Sequence, residues 1–165
     1  LLGRSGGDSI SGQNGDDFIS GQGDEDAGDL LRGGSGSDTI AFNNNDKAFG
    51  GTGTDLFLFN GDETGQTLGG GTVIALARIS DFHSPLFDGS SEQDSLVFAS
   101  GLEVGVFSYI ESAAFDGNAN SQARFNDVQN QLEVDSDGDG TADMAVKMSN
   151  LSLANQLTAM DFLWL

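Results

Sequence analysis

The sequence predicts an all-β protein whose opening third is a solenoid of turn-and-strand repeats and whose remainder is a set of short strands closing a sheet or sandwich. Three observations predict it. A nine-residue frame recurs through residues 1–59, the negative charge falls at a fixed place in that frame, and beyond Phe59 short apolar runs are divided by glycine and serine, with one proline in the whole chain.

The frame has glycine at its first, second and fourth places, aspartate at the sixth and a large apolar residue at the eighth. Gly33–Ala41 (GGSGSDTIA) and Gly50–Leu58 (GGTGTDLFL) fit it fully. Gly12–Ser20 fits except at Gln13, and Gly3–Ser11 except at Arg4. Asp24–Arg32 keeps only Asp29 and Leu31, after a three-residue insertion at Gly21–Gly23. Phe42–Phe49 is one residue short and sets Lys47 where the aspartate is expected, which puts a site there in doubt.

Each position has a physical task. The glycines permit positive φ, so six residues can make a tight turn without a Cβ in the way. The three residues that follow form a very short strand that points Ile10, Ile19, Leu31, Ile40 or Phe57 into a core. A strand of three residues cannot stand alone, so the units must stack and bury their apolar side chains on one another.

Stacking aligns Asp8, Asp17, Asp29, Asp38 and Asp55 in columns. Two bare carboxylates about 4 Å apart repel by about 4 kcal/mol at an effective dielectric near 20. A hard divalent cation between turns removes that cost, taking carboxylate oxygens from stacked aspartates and carbonyls from the glycine turns of Gly12, Gly15, Gly33, Gly36, Gly50 and Gly53. Ca²⁺ is therefore expected to complete the fold.

Composition narrows the classes. The chain has 165 residues with 26 acidic and 6 basic, a net charge of −20, which excludes nucleic acid and anionic membranes as partners. Without cysteine and with His83 as its one histidine it can build neither disulfides nor thiolate or multi-histidine metal sites, leaving oxygen-bound Ca²⁺ or Mg²⁺. No apolar run reaches the length of a membrane span, and the start LLGRSGGDSI carries no signal-peptide features and begins inside a repeat, as a piece of a longer protein would.

The frame G-G-x-G-x-D-x-U-x resembles the calcium-binding nonapeptide of RTX (repeats in toxin) proteins. That resemblance implies a right-handed parallel β-roll with two nonapeptides per coil. The ligand set it carries over is Asp8, Asp17, Asp29, Asp38 and Asp55, with Asp29 the weakest because its glycines are missing.

After the roll, Thr72–Phe82, Asp94–Ser100, Gly105–Phe115, QARFND and QLEV read as strands, with Ile74, Leu76, Ile79, Phe82, Leu96, Phe98, Phe107 and Tyr109 inside. Residues 60–165 are thus expected to be a β-rich, sandwich-like cap on the roll. The order of ISDF, DSLVF, ESAAF, an acidic loop and LTAMDFLWL is similar to the C-terminal region of serralysin-type secreted metalloproteases. This resemblance implies a calcium-folded export module handled by type I secretion machinery, with an uncleaved signal at Asp161, Phe162, Leu163, Trp164 and Leu165; DFLWL reads equally as a last strand packed on the core.

A second calcium candidate is DSDGDGTAD. Asp135, Asp137, Asp139 and Asp143, with the Thr141 carbonyl, match the start of an EF-hand loop, but Val146 holds the twelfth place and the flanks look like strands. A calcium loop on a β-hairpin is expected.

There is no His-Glu-x-x-His and no G-x-S-x-G, and His83 reads as a solvated loop residue, so the chain is read as no enzyme. The function expected is that of a non-catalytic, monomeric calcium-binding module at the C-terminus of a larger secreted bacterial protein, folding outside the cell. The rival is a carbohydrate-binding or adhesin module with a polysaccharide partner.

Overall fold

The computed structural model describes residues 1–22, 27–43, 45–59, 77–85, 89, 91–98, 105–153 and 156–164. Its opening strands are β1 (Ser9–Asn14), β2 (Phe18–Ser20), β3 (Leu30–Ser35), β4 (Thr39–Phe42), β5 (Lys47–Thr52) and β6 (Leu56–Phe59). They alternate between two sheets. β1, β3 and β5 pair in parallel on one side, with Ser9 opposite Leu30 and Leu30 opposite Lys47; β2, β4 and β6 pair in parallel on the other, with Phe18 opposite Thr39 and Thr39 opposite Leu56. This winding is that of a parallel β-roll, as the resemblance implies.

The later strands are β7 (Arg78–Ile79), β8 (Ser95–Phe98), β9 (Ser108–Tyr109), β10 (Gln122–Asn126), β11 (Gln131–Asp135), β12 (Met144–Met148) and β13 (Phe162–Trp164). They open no new pair of sheets. β7 adds to β5 and β8 to β6, both in parallel, so the roll's ladders run straight past Phe59. The result is one eight-stranded sheet in the order β1-β3-β5-β7-β12-β11-β10-β9 and one five-stranded sheet in the order β13-β8-β6-β4-β2. The antiparallel hairpin β11–β12 and the pair β10–β11 interrupt the parallel pattern on one side only.

The core lies between the sheets. Ile19, Leu31, Ile40 and Phe57, the eighth-place residues, are fully buried, and Ile10 packs against them at the open end. Ile79, Phe82, Leu96 and Phe98 are buried as expected, while Phe107 and Tyr109 are half-buried; Ile74 and Leu76 lie outside the described residues. The expected strand over Gly105–Phe115 shrinks to Ser108–Tyr109, because Gly105 and Glu111 take positive φ (68° and 53°) and turn the chain away on both sides.

The C-terminus closes the far end. Thr158 caps a 3₁₀ turn (Ala159–Asp161), its hydroxyl accepting from the Met160 N–H while Asp161 Oδ2 accepts from the Thr158 N–H at 2.6 Å. The next residue, Phe162, starts β13 against β8 and stacks on Phe98 and Tyr109 with centroids 6.3 and 5.1 Å apart. Residues Phe162–Trp164 of the DFLWL stretch are therefore a last strand.

Candidate metal centres

The winding builds two aspartate ladders, one at the start of each sheet's strands. In the first, Asp17 N–H donates to Asp38 Oδ1 (2.9 Å), Asp38 N–H to Asp55 Oδ1 (2.9 Å) and Asp55 N–H to Asp94 Oδ1 (3.0 Å). In the second, Asp8 N–H donates to Asp29 Oδ1 (2.7 Å) and Asp29 N–H to Asp46 Oδ1 (2.8 Å). Each carboxylate after the first of its ladder thus hangs one oxygen on the amide of the aspartate a coil earlier, and the stacking repulsion foreseen for bare carboxylates is partly offset by these charge-assisted bonds.

The second oxygens separate the ladders. Oδ2 of Asp17, Asp38 and Asp55 is buried in each case with no hydrogen-bond partner. A buried carboxylate oxygen without a donor costs about 1–3 kcal/mol or more, so three in a row are a place where a cation would be favourable. Their surroundings are closely packed and rich in oxygen. A Cβ on Gly12 would lie 2.5 Å from Asp17 Oδ2 and 2.5 Å from the Gly33 carbonyl, and a Cβ on Gly33 would press on Asp38 Oδ2 and the Gly50 carbonyl. Gly50 faces Asp55 Oδ2 in the same way. Oxygen walls and no room for a side chain suit the donor set of Ca²⁺.

The fourth-place glycines set the turns. Gly15, Gly36 and Gly53 have φ of 100°, 130° and 121°. Gln13 takes the second place of its repeat at φ 77°, a left-handed conformation that a glycine would hold without strain.

In the second ladder the end oxygens find protein donors. Asp8 Oδ2 accepts from the Arg4 N–H (3.0 Å) and Asp46 Oδ2 from the Asn43 N–H (3.0 Å). Here two expectations are corrected. The short repeat has its aspartate after all: the missing residue falls inside the turn, so Asp46 holds the ladder position and Lys47, opposite Leu30, starts the strand. Gly21 is no part of an insertion either, since its Cβ position faces Asp29 Oδ2 and Asp46 Oδ2 as the first glycine of a frame does; the extra residues come after it. Asp29 keeps its glycine and is fully in line.

The first ladder ends on residues that the repeat could not reveal. Asp94, fully buried, takes the Asp55 N–H on one oxygen and the His83 N–H (2.8 Å) on the other, with His83 Nδ1 3.5 Å away. His83 is therefore packed against a buried carboxylate and not simply solvated. Asp81 receives the Gly50 and Gly51 N–H groups (2.9 and 3.1 Å), closing the turn that has no next repeat to pair with.

Burial governs the charges. Desolvation raises the carboxyls of Asp29 and Asp38, lifts Asp55 to about 6, and raises Asp81 and Asp94, against the lowering effect of the backbone N–H bonds each accepts. Without a cation these groups hold protons above the usual carboxylate range.

The hairpin loop is a different construction. Asp135, Asp137 and Asp143 offer carboxylate oxygens within 4.8 Å of one another. Asp135, buried, receives Gly138 N–H on Oδ1 and Gly140 N–H on Oδ2, and Asp143 Oδ2 receives Ser136 N–H and Oγ–H at 2.7 and 2.6 Å. Asp139 stands outside that group and accepts from the Thr141 N–H (2.7 Å). Ser136 went unnoticed in the sequence because only its contact with Asp143 gives it a task.

No family model matches the chain, and no curated protein matches it in sequence. Among solved structures it is similar to the solution structure of the AlgE6R3 subunit from the Azotobacter vinelandii mannuronan C5-epimerase, at 23% identity and a TM-score of 0.57, over 96% of this chain and 78% of that one. At that identity the likeness is one of fold, and it spans both the repeats and the C-terminal half.

Proposed function

We propose that the chain is a non-catalytic calcium-binding module whose folding is switched on by Ca²⁺. The observation that carries this reading is the row of three buried, donorless oxygens on Asp17, Asp38 and Asp55, each packed so closely on a glycine that no side chain could stand there. Asp17, Asp38 and Asp55 would hold Ca²⁺ with carbonyls of the glycine turns at Gly12, Gly15, Gly33, Gly36, Gly50 and Gly53; Asp8, Asp29 and Asp46 would do so on the other side. Bound Ca²⁺ supplies positive charge where the winding has gathered negative charge. Asp135, Asp137 and Asp143 form a further place that Ca²⁺ fits, in a loop already closed by its own amides.

The switch follows from concentration. For a site with Kd on the order of 10⁻⁴ M, millimolar Ca²⁺ contributes about 1.4 kcal/mol, and submicromolar Ca²⁺ almost nothing. Several sites together keep the −20 chain open in the cytosol and close it outside. This suits an accessory part of a larger secreted bacterial protein, exported by type I machinery and folded afterwards. No helix of the described residues is long and apolar enough to cross a membrane. The likeness to a subunit of a mannuronan C5-epimerase favours a parent protein that works on polysaccharide over one of protease type.

Calorimetric titration of EDTA-stripped protein with CaCl₂ should count several ions per chain, and MgCl₂ at equal concentration none. A triple variant Asp17→Asn, Asp38→Asn, Asp55→Asn that took up as many ions as the wild type would contradict the assignment.

A further inference from the structure

The repeat frame requires glycine at its fourth place and leaves the third place free to vary. Gly3–Ser11, Gly33–Ala41 and Gly50–Leu58 put Ser5, Ser35 and Thr52 at that third place, whereas Gly12–Ser20 puts Asn14 directly before Gly15. That pair has a chemistry of its own. A glycine nitrogen, with no Cβ beside it, reaches the carboxamide of a preceding asparagine more readily than the nitrogen of a bulkier residue, so Asn-Gly is especially prone to lose its amide. The chain's other such pair, Asn60–Gly61, lies outside the described residues.

The folded roll holds the pair in an unreactive form. Asn14 ends β1 opposite Ser35, and the Gly15 N–H donates to the Ser35 carbonyl at 2.8 Å, the bond that Gly36 repeats with Thr52 at 2.9 Å. The Gly15 nitrogen must lose that proton before it can attack, and the ladder keeps the proton in place. The carboxamide itself is unguarded: Asn14 is exposed, and its side chain makes no hydrogen bond among the described residues. Protection therefore comes from the backbone pairing alone, and β1 is an edge strand paired only with β3. The turn also has no room for a longer backbone. A Cβ on Gly34 would press on the Gln13 carbonyl, a Cβ on Gly36 would lie 2.5 Å from the Gly15 carbonyl, and Gln13 already holds a φ of 77°.

We propose that Asn14 is a modification site: while the chain is unfolded it deamidates through the Gly15 nitrogen, and closure of the first coil on β3 stops the reaction. The step balances with water as its only co-reactant. The Gly15 nitrogen, its proton taken by hydroxide, bonds to Asn14 Cγ; the carboxamide nitrogen leaves as ammonia with a proton returned from water, and a succinimide ring remains. Water then opens the ring at either carbonyl. Breaking the bond from nitrogen to Cγ leaves an aspartate at position 14, and breaking the bond from nitrogen to the main-chain carbonyl carbon leaves an isoaspartate, whose backbone runs through Cβ and Cγ. That longer backbone falls between Gly12 and Asp17, in the close-packed turn, so a modified chain closes its first coil poorly and needs more Ca²⁺ to do so. Time spent unfolded is thereby recorded in the chain. The inference rests on the calcium reading only for what triggers the closure.

Peptide mapping by mass in heavy-oxygen water, where each new carboxyl takes up the label, tests it on protein held at neutral pH in CaCl₂, in EDTA and in guanidinium chloride, with the folded state of each sample read by circular dichroism. The Asn14 peptide should convert at least about tenfold faster in guanidinium chloride than in CaCl₂, because reaction of the folded chain waits on local opening. Equal rates in the two, or no conversion in guanidinium chloride, overturn the site. The EDTA sample should follow its own circular dichroism, fast if unfolded and slow if it keeps its β structure; the slow, structured result contradicts the calcium reading and supports this one, and a rate that ignores the folded state overturns it. After ageing in guanidinium chloride and refolding, the wild type should need about two- to fivefold more Ca²⁺ at its folding midpoint, and Asn14→Gln should remove most of that rise. An equal rise in aged Asn14→Gln overturns the link from Asn14 to calcium demand and assigns it to Asn60.

Discussion

In the ladder Asp17–Asp38–Asp55–Asp94, three carboxylate oxygens are buried without a donor, whereas in Asp8–Asp29–Asp46 both end carboxylates turn the corresponding oxygen to an amide of their own turn. The winding is the same and so is the backbone ladder. What differs is turn length and position: Arg4 at the open end and Asn43 in the shortened repeat bring an N–H within 3.0 Å, and the full-length glycine turns do not. In the shortened repeat and at the open end an N–H of the turn satisfies that oxygen, and in the turns at Gly12, Gly33 and Gly50 it is left for a cation. Calcium dependence should accordingly be concentrated on the first ladder.

The largest effect should come from Gly33→Ala. Its Cβ would press on both Asp38 Oδ2 and the Gly50 carbonyl, and neither the buried carboxylate nor the backbone can move aside cheaply. A loss on the order of 3 kcal/mol, seen as a raised calcium midpoint in a folding titration, is expected. The same change at exposed Gly7 meets only the Gly28 carbonyl at 3.2 Å and should cost far less; equal losses would erase the distinction.

Next in size is Asp38→Asn, which keeps the Oδ1 that accepts from Asp17 but removes the charge. It should lower calcium-dependent stability by about 1.5–3 kcal/mol while making the calcium-free chain slightly more stable, since a repulsion is gone. Asp46→Asn should move the calcium midpoint less than half as far, because Asp46 Oδ2 already has Asn43. Chemical denaturation in EDTA and in CaCl₂ gives both comparisons, and a larger shift for Asp46→Asn would reverse the ranking of the ladders.

Proton competition is smaller. Burial lifts Asp55 to about 6, above its unfolded value, so its contribution to calcium-free stability is present in acid and lost as pH rises through about 6. The EDTA-treated chain should hold more β structure at about pH 5 than at about pH 7.5, and Asp55→Asn should flatten that dependence. A calcium-free chain that gains structure on going alkaline would have the sign wrong. Smallest of all, Asp137→Ala in the exposed part of the hairpin loop should alter the calcium-free stability by about 0.5 kcal/mol or less and leave the roll's calcium midpoint where it was.

The repeats were legible because each repeat names its own turn and core residue: Ile19, Leu31, Ile40 and Phe57 are buried where the eighth place put them, and Asp17, Asp38 and Asp55 stack as the sixth place required. A rigid frame could not say on which side of the aspartate a deletion falls, so Asp46 was passed over for Lys47; only the pairing of Lys47 with Leu30 decides it. Asp94, Asp81 and His83 were invisible for another reason. Asp81 and Asp94 take partners 30 and 39 residues away, at Gly51 and Asp55, a distance no local pattern carries, and His83 gains its task only through Asp94. The extreme case is Arg78, which comes into register with both Lys47 and Lys147 only because β7 is laid between β5 and β12.

The account stands most directly on the far-UV circular dichroism and hydrodynamic radius of the EDTA-stripped chain during a CaCl₂ titration at neutral pH. A largely unfolded, expanded chain that gains β signal and contracts cooperatively near millimolar Ca²⁺, with no response to MgCl₂, is the predicted result. A stripped chain that is already compact and β-rich, with Asp17, Asp38 and Asp55 buried and no metal bound, would contradict it.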